Sequence, residues 1–180
     1  MHHIILGRDG VINEVASRHV RSPEEWIPIE GSLDAIARLN RAGFHVVVAT
    51  NQPGLSRRSL NIEALNRIHE SMHRQLAEVG GHVKIASTCP CSPKDDCDCF
   101  KPNPGMLLDV AARLRISLDS VRMVGDEISD IEAARAAGAI PVLVKTGNGA
   151  KTAEKHPDLD DVEVFEDLAE AADAIIEGLG

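Results

Sequence analysis

Short apolar runs alternate with amphipathic stretches along almost the whole chain, and this pattern limits the possible folds more than any other feature. Residues 4–6 (IIL), 44–49 (FHVVVA), 83–87, 121–124 and 140–144 read as buried strands, bounded by polar residues and rich in β-branched side chains. Between them lie helical spacings. Gly31-Ser32 opens a helix with Leu33, Ile36 and Leu39 on one face, and Gly43 closes it. Asn61 is placed to cap a longer helix whose Leu65, Ile68, Met72, Leu76 and Val79 share a face, and Gly80-Gly81 ends it. A helix over 104–114 starts at Pro104, an Ala-rich helix covers 129–137, and a last helix covers 166–177 with Leu168, Ala171, Ala172, Ile175 and Ile176 inward. Strand and helix in alternation imply an α/β domain, a doubly wound, Rossmann-like parallel sheet covered on both faces. Residues 1–180 are the size of one such domain, and residues 146–162, rich in Gly, Lys and Asp, read as a mobile surface loop.

Composition narrows the function. Lys and Arg number 19 against 28 Asp and Glu, for a net charge of −9, with one Trp, three Phe and no Tyr. A chain this acidic and poor in aromatics lacks both the positive field and the stacking surface of a nucleic-acid binder. No apolar run approaches the roughly 20 residues of a membrane span, and the N-terminus lacks the basic start of a signal peptide. The expectation is a cytoplasmic protein with no membrane partner, most simply a monomer.

In a doubly wound sheet the ligand lies beyond the carboxyl ends of the strands. The unusual polar residues fall there: Gly7-Arg8-Asp9-Gly10-Val11-Ile12-Asn13 after the first strand, Thr50-Asn51-Gln52-Pro53-Gly54 after the second, and Gly125-Asp126-Glu127-Ile128-Ser129-Asp130 after the fourth, with Lys101 ahead of the 104–114 helix. Each segment alone has an ordinary reading: a turn, a strand-end cap, a solvated lysine, a carboxylate at a helix start. Together they supply what phosphoryl transfer needs. A hydroxyl, an amide and an ammonium can hold phosphate oxygens, carboxylates can hold Mg²⁺, and an acid can protonate the leaving oxygen.

The ordered set Asp-Gly-Val-Ile-Asn, Thr-Asn-Gln-x-Gly, Lys-Pro-x-Pro-Gly-Met and Val-Gly-Asp-x-x-x-Asp resembles the haloacid dehalogenase-like phosphatases. Within them it is most similar to the D-glycero-D-manno-heptose 1,7-bisphosphate 7-phosphatases, relatives of the histidinol-phosphate phosphatases. The resemblance runs from about residue 4 to residue 152 and includes Ser22-Pro23-Glu24-Glu25-Trp26 and Thr146-Gly147-Asn148-Gly149. It implies a minimal cap and Mg²⁺-dependent hydrolysis of a phosphosugar, the 7-phosphate of a heptose 1,7-bisphosphate, in the lipopolysaccharide-core heptose pathway. By the same resemblance Asp9 would be the general acid that protonates the leaving sugar oxygen and then activates water, its backbone carbonyl also reaching Mg²⁺. Asp126 would ligate Mg²⁺, and Asp130 would ligate or support it. Thr50, Asn51, Arg57, Lys101 and Asn13 would contact the substrate.

The chain departs from that family at one decisive place. The first motif of the family reads Asp-x-Asp, and its first Asp is the nucleophile; here that position is Gly7. Alternate positions of an extended strand end share a side, so residues 7 and 9 face the site together and Arg8 is expected to point away. Glycine can neither attack phosphorus nor lend a carboxylate to Mg²⁺. Three readings stay open: an enzyme altered at this residue, a relative that binds phosphosugar without hydrolysing it, or direct attack by water. Phe100 also stands where the family has Arg, and Glu127 where a basic or small polar residue is common.

All four cysteines, Cys89, Cys91, Cys97 and Cys99, fall in an 89–99 loop. Two close pairs across a short loop suit four-coordinate structural Zn²⁺, with free thiols or a redox pair as the alternatives. The pattern also resembles the zinc loop of the same family, with Cys91 in place of a His. His69 and His73, four apart on a helix, read as a solvated pair.

Overall fold

The computed structural model describes residues 2–15 and 19–178. Its frame is a six-stranded sheet of β1 (His2–Leu6), β2 (Phe44–Asn51), β3 (Ile85–Cys89), β4 (Arg122–Gly125), β5 (Ile140–Val144) and β6 (Glu163–Phe165). The strand order is β3-β2-β1-β4-β5-β6, and every pairing is parallel. Order reverses on either side of β1, so the switch point lies between β1 and β4, where a ligand crevice is expected.

Six helices cover the sheet: α1 (Ser32–Arg41), α2 (Ile62–Glu78), α3 (Gly105–Leu114), α4 (Ile128–Ala137), α5 (Gly149–Lys155) and α6 (Leu168–Glu177). Strand residues alternate between two apolar layers. Ile4, Leu6, Val46 and Val48 pack with α1, α2 and α6, while Ile5, Val47 and Met123 pack with α3 and α4. In α2 four residues of the predicted stripe, Leu65, Ile68, Met72 and Leu76, are nearly inaccessible, while the fifth, Val79, caps the helix end and is partly exposed. Each of the four contributes about 1.5–3 kcal/mol by leaving water. Asn61 caps that helix as expected, its side chain accepting from the Ala64 amide at 2.8 Å.

Two expectations change. Part of the 146–162 segment is helical, as α5, and β6 follows it at the sheet edge. The segment is held down by Thr152, whose Oγ1 donates to the Asp126 carbonyl at 2.8 Å, and by Lys145 N, which donates to Phe165 O at 2.9 Å. Its polar composition hid contacts made at long range. Among the described residues, no helix is long and apolar enough to cross a membrane.

Candidate active site

The strand ends on both sides of the switch point open into a cavity of about 690 Å³. Gly7, Asp9, Thr50 and Asn51 line it from the ends of β1 and β2. Lys101 joins them from the loop ahead of α3, and Asp126 and Asp130 from the β4–α4 junction. Arg57 also lines the cavity, with its side chain exposed to solvent. Asn13 is not on the wall; it is fully buried behind Asp9.

Gly7 continues the line of β1, its amide donating to Val124 O at 2.8 Å. Its backbone is outside the left-handed region, so no conformational demand selects glycine there. A Cβ at this position would touch only Val11 Cγ2 closely, at 3.1 Å. The end of a valine side chain can give by the few tenths of an ångström required. The backbone therefore accepts a larger residue, and the missing carboxylate is a chemical feature of this chain rather than a steric necessity.

Asp9 is the most heavily tethered group of the site. Its Oδ1 accepts from Arg8 Nε at 2.9 Å, Arg8 Nη2 at 2.8 Å and Asn13 Nδ2 at 3.0 Å; its Oδ2 accepts from Gln52 Nε2 at 3.0 Å. Burial by itself would raise the carboxyl pKa, but the Arg8 charge and the donors from Asn13, Arg8 and Gln52 together outweigh it and hold Asp9 below the usual carboxylate range. Arg8 does not point away, as strand alternation predicted. Its side chain is entirely buried, because after Leu6 the chain leaves the strand and turns, with Val11, Ile12 and Asn13 amides all directed at the Arg8 carbonyl.

On the opposite side, Lys101 Nζ donates to Asp130 Oδ1 at 2.6 Å and to the Ala49 carbonyl at 2.9 Å. Both side chains of this pair are more than nine-tenths buried. Asp130 Oδ2 accepts the amides of Asp126 and Glu127, each at 3.1 Å. Asp130 is thereby committed to supporting its neighbours. Asp126 is not: its carboxylate accepts the Asn148 amide at 2.8 Å and is otherwise directed at the glycines Gly10 and Gly147. Burial, then the Asp130 charge, push Asp126 up to about 7. A carboxylate so short of positive charge suits a hard divalent cation, which favours oxygen donors.

The comparisons with known proteins agree with this geometry. Residues 98–171 match the HAD-hydrolase-like family. The chain is 48% identical over 174 residues to the D-glycero-β-D-manno-heptose-1,7-bisphosphate 7-phosphatase of Bordetella bronchiseptica, covering 97% of each chain. It is 44% identical over 174 residues to the protein of that name from Pseudomonas aeruginosa, again covering 97% of each. The crystal structure of the D,D-heptose 1,7-bisphosphate phosphatase of B. bronchiseptica complexed with magnesium and phosphate superposes with a TM-score of 0.96 at 47% identity, covering 99% of each chain. The chain belongs to the D-glycero-β-D-manno-heptose-1,7-bisphosphate 7-phosphatase family.

Among the members of this heptose bisphosphatase family to which it is similar, the Burkholderia thailandensis enzyme also shares the fold, with a TM-score of 0.78 at 37% identity over 98% of this chain and 99% of that one. The cysteine loop lies beside the family site. Sulfurs of Cys89, Cys91 and Cys99 lie within 4.8 Å of one another. The structure joins Cys89 to Cys99 and Cys91 to Cys97, with Cα separations of 5.6 and 6.4 Å. The convergence of the four side chains was expected; the covalent pairing was not, since metal was expected ahead of disulfides. Three of the four sulfurs converge at one point and Cys97 lies against Cys91, so the loop gathers soft donors of the kind a structural Zn²⁺ takes.

Three side chains that the sequence pattern did not mark join the candidate site. Gln52, only 1% exposed, bridges Asp9 and Thr50, donating to Thr50 Oγ1 at 2.9 Å. It follows the strand end directly, but nothing in its spacing marks it. Arg8 was assigned to the wrong side. His69 was expected to be solvated with His73; instead its Nε2 lies 3.2 Å from Arg8 Nη1. Burial first, then the Arg8 charge, push its pKa down to about 4. His73 is exposed as expected.

Proposed function

We propose that this chain takes the 7-phosphate of D-glycero-β-D-manno-heptose 1,7-bisphosphate into the cavity with Mg²⁺, and that it is built as a phosphatase of the lipopolysaccharide-core heptose pathway without the nucleophile, with Phe100 and Glu127 as further departures on the cavity wall. One observation carries the reading: a buried Lys101–Asp130–Asp126 cluster faces Asp9 and Gly7 across one cavity at the sheet's switch point. Thr50 Oγ1 and the Lys101 ammonium would hold the transferring phosphate. The Asn51 side chain is spent on the Lys101 backbone, so its part is to place that lysine. Bound at Asp126, with Asp130 supporting from behind, Mg²⁺ would neutralise phosphate oxygens.

Asp9 would deliver the proton to the leaving sugar oxygen. Of its two oxygens, Oδ1 takes three donors and Oδ2 one, so Oδ2 is the atom with capacity left for this exchange. The resting group is held as a carboxylate; an arriving phosphate opposes the Arg8 charge and raises Asp9 toward the protonated form its role needs. Asn13, fully buried, keeps Oδ1 in place.

Position 7 decides turnover. Without a carboxylate there, no aspartyl-phosphate can form, and any hydrolysis must rely on positioning and charge alone. This favours a second reading, a phosphosugar-binding relative with little or no turnover. The test is Mg²⁺-dependent phosphate release from the heptose 1,7-bisphosphate by this chain and by its Gly7→Asp variant, with histidinol phosphate in the same panel. The variant is expected to exceed the parent by about a thousandfold or more. A parent as fast as the variant would overturn the account of position 7. Silence of both, with no binding of the bisphosphate by calorimetry, would remove the heptose substrate.

The cysteine group is assigned as a structural Zn²⁺ site of Cys89, Cys91, Cys97 and Cys99. Its role would be to fix the loop that carries Lys101, two residues beyond Cys99. Metal analysis of the reduced chain should find about one zinc per chain. Disulfides surviving in protein isolated under reducing, metal-replete conditions would refute it.

A further inference from the structure

A partly buried contact between Arg8 and His69 joins helix α2 to the end of β1 and ends on the carboxylate proposed as the acid. Arg8 has no exposed side-chain surface, and its guanidinium is divided: Nε and Nη2 go to Asp9 Oδ1, Nη1 to His69 Nε2 at 3.2 Å. A guanidinium is a donor only and does not lose its proton in proteins. The His69 nitrogen facing it must therefore accept, which places the ring proton on Nδ1 and leaves the ring neutral. A protonated ring there would set a second cation against the fully buried Arg8 guanidinium.

We infer that His69 is a positioning residue for the phosphatase acid: by accepting from Arg8 Nη1 it fixes the guanidinium plane that pins Asp9 Oδ1, so that Oδ2 alone faces the leaving oxygen. This rests on the reading of Asp9 as acid given above. Other contacts agree. Asn13 pins the same oxygen from the far side of the turn, and among the described residues Gln52 is the one side-chain donor to Oδ2. His69 is carried by α2, whose inner face is locked by Ile68 and Met72 on either side of it in sequence, both at 0% exposure. The helix that carries His69 is consequently anchored by the core, independently of the site. Its neighbours Arg8, His73 and Asp9 are the charged or titratable groups acting on it.

An acid matters in proportion to how poor the leaving group is. The test therefore compares a sugar phosphate, which needs its leaving oxygen protonated, with p-nitrophenyl phosphate, which does not. In the Gly7→Asp background, His69→Leu should lower kcat on the heptose bisphosphate by about tenfold or more with KM little changed, and leave the first-turnover release of p-nitrophenol from the aryl phosphate nearly unaffected. His69→Gln, which keeps an acceptor, should restore most of the loss. A parallel fall on both substrates, or no rescue by Gln, would reduce His69 to a packing residue and overturn the inference. Long-range proton–nitrogen NMR on the parent chain gives a reading independent of turnover: His69 protonated at Nδ1 and bare at Nε2 is expected. An Nε2-protonated ring overturns the inference while leaving the phosphatase reading intact. A Gly7→Asp chain silent toward both substrates overturns the phosphatase reading, and this inference with it.

Discussion

Asn51 and Lys101 exchange two hydrogen bonds across 50 residues of sequence: Asn51 Nδ2 donates to the Lys101 carbonyl at 3.0 Å, and the Lys101 amide donates to Asn51 Oδ1 at 3.1 Å. A side-chain amide thus mimics a strand neighbour and docks the cysteine loop onto the end of β2. Replacing Asn51 by Leu leaves one backbone donor and one acceptor without partners. We expect a loss of about 1–3 kcal/mol in denaturant unfolding, and weaker binding of inorganic phosphate with Mg²⁺ although the Lys101 charge remains. Unchanged phosphate affinity would show that Lys101 is placed by other means.

Lys101 and Asp130 form a pair in which both side chains are more than nine-tenths buried at the cavity wall. Removing one partner strands the other. Asp130→Ala is expected to cost about 3–5 kcal/mol, with Lys101→Met in a similar range, and the double variant Lys101→Met/Asp130→Leu less than the sum. Chemical denaturation of the four proteins completes the cycle. Additive losses would mean that the two groups do not depend on each other.

Asp126 titrates in the folded chain near 7 instead of 3.8. The folded state therefore holds a proton that the unfolded state releases, so stability declines as pH rises from about 4 to about 7 and is level above that. Divalent cation competes with the same proton. Mg²⁺ should raise the melting temperature more at about pH 8 than at about pH 5.5. Asp126→Asn should flatten the pH slope in chelator and abolish the Mg²⁺ effect. A Mg²⁺ shift that survives this substitution would place the cation elsewhere.

Gly10, at φ 79°, lies against the Asp126 carboxylate, and a Cβ there would collide with it. Gly10→Ala combines left-handed backbone strain with displacement of the proposed cation ligand. About 2–4 kcal/mol of stability should be lost together with the Mg²⁺-induced melting shift. Gly43, also at positive φ, has nothing near its Cβ position. Gly43→Ala should show the backbone term alone, with Mg²⁺ response retained.

The order of elements was legible in the sequence because burial on both faces of a parallel strand forces continuous apolar runs, and because helix caps such as Asn61 act locally. The segments that form the site were legible for the same reason: a parallel sheet fixes which strand ends face the ligand, so Asp9, Thr50, Lys101 and Asp126 could be grouped before any contact was known. The absence of a carboxylate at position 7 is likewise a fact of sequence alone. Tertiary structure decided how those groups are shared out. Strand alternation turned Arg8 away, but the regular strand ends at Leu6, and the turn closed on the Arg8 carbonyl puts the guanidinium against Asp9. His69 looked solvated because helical spacing describes only its own helix, whereas its partner comes from a segment 61 residues away. The division of labour between Asp126 and Asp130, one open toward a cation and one occupied by Lys101 and two amides, rests on distances set where β4, α4 and the Lys101 loop meet. Local pattern determines which residues arrive at the strand ends, and packing between distant segments determines which of their atoms remain free.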